Sequence, residues 1–547
     1  MLILNDTLKL SSIVLLFTIL LTNCANPIPP TGGDRDETPP RLILEETTPN
    51  LQTNFTKQPI ELTFDEWIVL KDKSKNILVS PPLEKGNLEV EIKRRTVVVK
   101  FPEDENLKED ATYVINFGEA VQDLTENNPA EDLRFIFSTG DVIDSLEVKG
   151  TVVDAFTGEP VEETIVMIYR NLADSVVYTQ RPFYFSKTDE TGQFTIGNIK
   201  EGTYKIAATQ DDLISDYQFS NGEQVAFLPT TIEVTDSISE KLTLRLYTPA
   251  PLLAIQKTLD RNYGKLGIQF NQPPDFDSLD LNYSIENLNT FTEIEKDTLQ
   301  IWYDLTDSTR WETYITYPDS QVDTVEVRPL SRTAFLNESA LEATTRIGNA
   351  PKSLNPTKSI RFVFNHPILS IDTSFIQLVE DSIQNVTANY SLDTSTAQRE
   401  IIVNYDWQDS SLYQLTFYPN ALTDLYNFSN DTITQSYQAL AATDFGTIDF
   451  KLTELDSTQQ YVLRLFFKKT NLIETYIIND TAEWQQSIPS LPTGEYSIEL
   501  ILDENRNGKW DVGNYDTKQL PEIVKFKTLE ELRANWNLDV TFTPAEL

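Results

Sequence analysis

The feature that most narrows what this chain can become is a two-residue alternation of apolar and polar side chains. It returns along the sequence and is broken each time by turn-forming residues. Ile60-Glu61-Leu62-Thr63-Phe64-Asp65-Glu66-Trp67-Ile68 shows it, and Leu266-Gly267-Ile268-Gln269-Phe270-Asn271 and Ile360-Arg361-Phe362-Val363-Phe364-Asn365-His366-Pro367-Ile368 echo it. A strand sends successive side chains to opposite faces, so such runs describe strands with one face buried. Helical spacing stands out only near Leu529 to Arg533, where a short helix is expected. The fold expected is therefore all-β, a tandem array of β-sandwiches. With 547 residues, of which 40% are hydrophobic, the chain can bury about four or five separate cores.

Charge excludes one class of partner. Lys and Arg total 44 against 84 Asp and Glu, a formal charge of -40. Such a field repels the phosphates of nucleic acid, so no nucleic-acid partner is expected. The charge suits an exposed protein that must stay soluble, and it also suits attraction of cations, calcium among them.

The first 24 residues read as a targeting segment. Lys9 precedes an apolar run from Leu10 to Leu21, interrupted by Ser11 and Ser12 and too short to span a bilayer comfortably; Cys24 follows. The box Leu21-Thr22-Asn23-Cys24 resembles a lipoprotein signal, with Asn23 where Gly or Ala is usual. The resemblance implies a signal peptide over 1–23 and a lipid on Cys24. Cys24 is the only cysteine, so no internal disulfide, zinc cluster or redox pair can form. Residues 24–38, rich in Pro and Gly and then acidic, read as a tether.

Tyr113-Val114-Ile115-Asn116-Phe117, Val121-Gln122-Asp123-Leu124 and Phe135-Ile136-Phe137-Ser138-Thr139-Gly140 follow the Phe64 strand in order. These blocks resemble bacterial Ig-like domains of surface-layer type, over 39–140. With the lipid box and tether they resemble the Ig-like domain-containing outer-membrane lipoproteins of Bacteroidota. The turn-then-strand units Val148 to Val161, Thr188 to Phe194 and Lys200 to Ile206 are similar to a carboxypeptidase regulatory-like, transthyretin-type sandwich over 144–246, here a structural module. A less defined sandwich is expected over 249–350. Leu412 to Phe417 followed by Leu422-Thr423-Asp424-Leu425 repeats Tyr113 to Leu124, which implies a second Ig-like domain over 354–442. Pro492-Thr493-Gly494-Glu495-Tyr496-Ser497-Ile498 mirrors Glu201 to Ile206, so 444–547 reads as a second transthyretin-like sandwich.

Candidate chemistry is sparse. His366 is the sole histidine, which removes multi-histidine metal sites; a structural role is expected for it. No acid stands in a catalytic signature, so no catalytic residue is assigned and no enzyme is expected. One local motif is sharp. Asp503, Asn505, Asn507 and Asp511, with Gly508 at the sixth place, reproduce the oxygen positions of an EF-hand loop, with the carbonyl of Lys509 as the seventh-position donor. Position twelve is Asn514 rather than Glu. Two readings stand side by side, a weak calcium site and an Asx/Gly hairpin whose side chains bond their own backbone. No cofactor is required beyond the lipid. Asp144-Ser145-Leu146, Asp297-Thr298-Leu299 and Asp431-Thr432-Ile433 resemble the O-glycosylation sequon of exported Bacteroidota proteins.

Together these features point to a non-enzymatic lipoprotein anchored in the outer membrane, facing the cell surface rather than the periplasm. Its role would be a structural or interaction subunit of an outer-membrane protein complex, with a β-barrel among the candidate partners. Display of a glycan-binding or adhesion surface is the alternative.

Overall fold

The computed structural model describes residues 36–546 apart from 211–216, 221, 236–240, 287, 306–308 and 349. The signal segment, Cys24 and most of the tether lie outside the described residues. The chain is nearly all β, with 47% strand and 7% helix. Among the described residues no helix is long and apolar enough to cross a membrane.

Five sandwich units follow one another, each around its own core. In unit 1, Ile60–Thr63 pairs with Thr96–Lys100 in register Ile60↔Val99 to Thr63↔Thr96, and a facing sheet carries Leu78–Ser80, Thr112–Asn116 and Arg134–Ser138. The alternation pays off directly: Ile60, Leu62 and Phe64 are buried while Glu61 is exposed, and they pack with Val97, Tyr113 and Phe137. Unit 4 repeats this plan. Ile360–Val363 pairs with Glu400–Asn404, and Leu412–Phe417 lies between Ile376–Glu380 and Ile433–Ala439. In both units a buried tyrosine hydroxyl accepts a backbone N–H five residues upstream, Lys108 to Tyr113 and Gln408 to Tyr413, each at 2.8 Å.

Units 2 and 5 share a second plan. Each has a three-stranded sheet in which the last strand runs parallel to the first: Leu242–Leu246 beside Leu146–Asp154, and Asn537–Phe542 beside Gly446–Leu452. Each also has a larger sheet, built on Gly202–Gln210 in unit 2 and on Tyr496–Asp503 in unit 5. The strand after the Gly turn is tied back in the same way. Tyr204 donates to the Lys200 carbonyl at 2.6 Å and Tyr496 to that of Pro492 at 2.7 Å. Unit 3 packs Lys265–Phe270 and Thr298–Tyr303 against Trp311–Thr316 and Val322–Val327 around Phe270, Tyr303 and Trp311.

Two expectations need correcting. Residues 529–533 form no helix. Leu532 makes an isolated bridge with Gly494, and Leu529 and Leu532 are buried on the unit 5 core, so their three-residue spacing serves an irregular edge segment rather than a helical face. The segment 249–350 also ends too late, because Leu341 and Ala343 belong to unit 4. Ala343 bridges Phe364 as Leu42 bridges Phe64, and Leu341 lies in the unit 4 core. Between units 3 and 4 stands an unexpected helix, Arg332–Glu338, whose N-cap Ser331 hydroxyl accepts from the Ala334 N–H.

Candidate metal loop and interdomain junctions

The loop Asp503 to Asp511 leaves the end of strand Tyr496–Asp503, so strand pairing fixes where it starts. Asp503 is fully buried. Its Oδ1 accepts from the Asn507 N–H at 3.1 Å, and its Oδ2 from the Gly508 N–H at 2.7 Å and Gln460 Nε2 at 2.6 Å. Asn505 Oδ1 also accepts from the Asn507 N–H at 3.1 Å, and Asn507 Oδ1 from the Lys509 N–H at 2.8 Å. Both amide groups donate to Asp511 Oδ2, Asn505 at 2.5 Å and Asn507 at 2.7 Å. Gly508 sits at φ +77°, a left-handed conformation that favours glycine. The fold thus gathers Asp503, Asn505, Asn507 and Asp511 into one loop as an Asx-built turn. An ion entering it would find Asp503 and Asp511 as charged donors once the two amides rotate to present Oδ1. Among the described residues no group of three or more His, Cys, Asp or Glu side chains is placed to hold a metal. Glu522 braces the loop from below, accepting from the N–H groups of Glu504 at 2.9 Å and Asp511 at 3.1 Å. Burial pushes its carboxyl above the usual range, the charges of Asp511 and Asp503 add to this, and the two donors oppose it.

Lys509 points its side chain out of the loop and across to unit 3, where Nζ meets Asp275 at 2.7 Å. Trp510 leans edge-on against Phe156 of unit 2, 4.8 Å between centroids, and donates Nε1 to the Glu522 carbonyl at 3.0 Å. The loop is therefore also a junction. Just beyond it, Tyr515 enters a unit 2 core with Phe219, Phe227 and Tyr247. Its hydroxyl donates to the Asp174 carbonyl at 2.9 Å, and Tyr178 of unit 2 donates to Asp516 at 2.9 Å. Lys518 reaches Asp174 at 3.1 Å, and Arg245 donates to the Pro521 carbonyl at 3.3 Å. Unit 5 also meets unit 4, through Asn355 Nδ2 and the Ser490 carbonyl at 2.8 Å.

His366 is buried. Its Nδ1 lies 2.7 Å from Asp424 Oδ2, and Asp424 Oδ1 accepts from the N–H groups of Tyr426 at 2.9 Å and Phe428 at 2.7 Å. Trp302, Phe335, Tyr426 and Phe428 surround the ring. Ser339 Oγ stands 3.4 Å from Nε2, at the far end of the donor range. The pair belongs to the junction of units 3 and 4, where Tyr426 donates to the Gly264 carbonyl at 2.7 Å and Arg399 pairs with Glu293 at 2.8 Å. Sequence reasoning foresaw none of these junctions. Each is a meeting of surfaces distant in the chain, and the one visible signal was the substitution of His366-Pro367 for Glu66-Trp67 in otherwise repeated strands.

This geometry defines a modular all-β protein: tandem sandwiches locked to one another by aromatic plugs and satisfied carboxylates. Residues 36–139 match the bacterial Ig-like domain family, and residues 162–236 match a fibronectin-like family described as polysaccharide lyase family 4, domain II. No curated protein matches the chain. Among solved structures, the Bacillus anthracis TIE protein aligns at 10% identity over 94% of this chain and 75% of its own, with a TM-score of 0.13. The Bacteroides ovatus mixed-linkage glucan utilization locus SGBP-B, in complex with a mixed-linkage heptasaccharide, aligns at 10% identity over 72% and 91%, with a TM-score of 0.15. BcpA, the major pilin subunit of Bacillus cereus, aligns at 8% identity over 73% and 99%, with a TM-score of 0.14. Scores of this size carry nothing over to this chain.

Proposed function

We propose that this chain is a non-enzymatic envelope protein, held on the outer membrane by a lipid on Cys24, facing the cell surface and serving as a structural or interaction subunit of an outer-membrane protein complex. The observation that carries the reading is the clasp between units 2 and 5, which brings Tyr178 and Asp516 into contact across 338 residues of sequence. A display stalk needs only end-to-end joints. A chain folded back and plugged with Tyr515 holds several surfaces at fixed angles, which suits a subunit that must fit a defined site.

The test has two arms. Cys24→Ala should move the protein from the membrane to the soluble fraction, and an affinity pull-down from detergent-solubilised membranes should return a stoichiometric membrane protein. Unchanged fractionation would overturn the anchor, and absence of any stoichiometric partner would overturn the subunit role. Glycan binding has one point in its favour, the carbohydrate-related description of the family matched by residues 162–236. Specific signals on a glycan array would favour that reading.

A further inference from the structure

Units 1 and 4 present the same tip to their surroundings. In unit 1, Ile68–Leu70 pairs with Val121–Asp123 through Ile68↔Asp123, and the Leu124 N–H donates to the Trp67 carbonyl at 2.9 Å. In unit 4, Ile368–Ile371 pairs with Leu422–Asp424 through Ile368↔Asp424, and the Leu425 N–H donates to the Pro367 carbonyl at 2.9 Å. The following loop closes alike, Asn128 carbonyl to Asp123 N–H and Phe428 carbonyl to Asp424 N–H, both at 3.0 Å. An edge contact matches too: Arg41 N–H to Asp65 Oδ1 and Glu342 N–H to Asn365 Oδ1, both at 2.9 Å.

The two tips differ in what covers them. Leu425 and Tyr426 are only 4% and 3% exposed, because they sit in an aromatic socket formed by Tyr263 and Trp302 of unit 3, with Phe335 of the connecting helix beside them. One cation of unit 3 borders that socket, Lys265, 4.5 Å over the Trp302 ring, and beside it Glu293 of unit 3 pairs with Arg399 of unit 4. On unit 1 the equivalent backbone holds Trp67 at 58% and Leu124 at 59% exposure. Glu66 precedes Trp67 and Glu126 lies two residues after Leu124. The Asp123 carboxylate is buried on the loop N–H groups, and two cations share the tip, Arg95 on the Asp65 carbonyl at 2.9 Å and Lys71 on Asn127 at 2.6 Å. The Glu66 carboxyl is raised above its usual range, first by burial and then by the charges of Asp123, Asp65, Asp36 and Glu126.

We propose that the tip of unit 1 is a docking surface in which Trp67 and Leu124 enter an apolar socket, rimmed by Lys or Arg, on a separate partner protein, in the way the tip of unit 4 enters unit 3. It rests on the reading of the chain as an interaction subunit and is independent of the lipid. A large exposed Trp beside an aliphatic neighbour has the character of an interface anchor. The acidic rim selects a basic counterpart. A second copy of this chain, with a formal charge of -40, is a poor complement, and the unit 3 socket it would offer is already filled by its own unit 4. A bilayer with anionic head groups is repelled by the same rim.

The test places the photo-crosslinking residue p-benzoyl-phenylalanine in the full-length chain in the cells that make it, as Trp67→p-benzoyl-phenylalanine and, separately, at Leu124. A control carries it at Ile383, an isolated residue 90% exposed on unit 4. The expected result is one discrete adduct with a different protein from positions 67 and 124 and none from 383. The crosslinked peptide should be flanked by Lys or Arg. Adding Glu66→Lys should reduce the adduct several-fold, and Glu66→Gln, which keeps the side-chain shape, should reduce it less. Adducts to lipid, an adduct of doubled mass, or a yield indifferent to both Glu66 variants would overturn the assignment. No adduct at 67 or 124 from a chain that still co-purifies with a stoichiometric membrane protein would sink this surface and leave the subunit reading standing. Loss of both would sink both.

Discussion

Asp503 illustrates how one residue can satisfy a motif and serve another purpose. A calcium loop and an Asx turn want the same residue types, since both need short oxygen-bearing side chains and a Gly at the left-handed position. What distinguishes them is where the oxygens are spent. Because Asp503 is buried and accepts from two loop N–H groups and Gln460, Asp503→Ala should strand those donors and cost about 2 to 3 kcal/mol without any calcium, a loss readable in denaturant unfolding. Asp511→Asn is milder because it replaces only the acceptor of two side-chain amides. If the loop takes calcium, millimolar calcium should raise the Tm of the wild type over that in chelator, and Asp511→Asn should flatten the rise. Superimposable wild-type curves would leave a turn alone. Gly264 is a second residue-scale case: a Cβ there, at φ +79°, would lie 2.4 Å from the Tyr426 hydroxyl oxygen. Gly264→Ala should therefore destabilise by more than about 1 kcal/mol, and a Gly264→Ala/Tyr426→Ala pair should be markedly non-additive in a double-mutant cycle.

At the scale of elements, the strands were the legible part. Period-two burial follows from backbone geometry alone, so Ile60, Leu62 and Phe64 announce an inward face before any partner is known. The same holds for Ile360 and Phe362. The tyrosine ties recur because a strand start needs its loop pinned. Tyr113→Phe should cost about 1 kcal/mol by removing the acceptor of the Lys108 N–H while keeping the ring packed, and Tyr413→Phe should cost more, because the Tyr413 hydroxyl also donates to Glu380 Oε1 at 2.7 Å; thermal melts in that order would check it. Element reading failed where spacing was short. Leu529 and Leu532 have helical separation, yet neighbouring strands claim the segment through the bridge to Gly494. Tertiary pairing outweighs a one-turn helical preference, since so short a helix has barely repaid its nucleation.

Across the whole molecule, the clasp between units 2 and 5 should behave as a removable part. Tyr515→Ala takes a phenol ring out of a pocket lined by Phe219, Phe227 and Tyr247 and leaves Asp174 without its aromatic partner. We expect each unit to stay folded while the maximum dimension in small-angle scattering increases and the units melt more independently; an unchanged scattering profile would show that the remaining contacts suffice. Asp174 adds a pH dependence. Hydrogen bonds from Lys205 and Lys518 hold its carboxyl below the usual carboxylate range, so its contribution is present above the unfolded value and lost as pH falls through the folded one. The clasp should accordingly loosen below about pH 4, a small effect that added salt weakens because the site is exposed.

From its own residues the chain settles local matters: strands where apolar residues alternate, turns where Gly, Asn and Asp permit them, and repetition of the Phe64 strand at Phe364. These depend on neighbours within a few positions, and backbone sterics make them nearly context-free. Only the tertiary structure decided that Tyr515 plugs unit 2, that His366 locks to Asp424 inside an aromatic junction, and that Leu124 stays open where Leu425 is covered. Packing between units depends on shape and charge across surfaces hundreds of residues apart in sequence, and no periodicity along the chain encodes which of two tips of the same backbone plan is covered by a neighbouring unit.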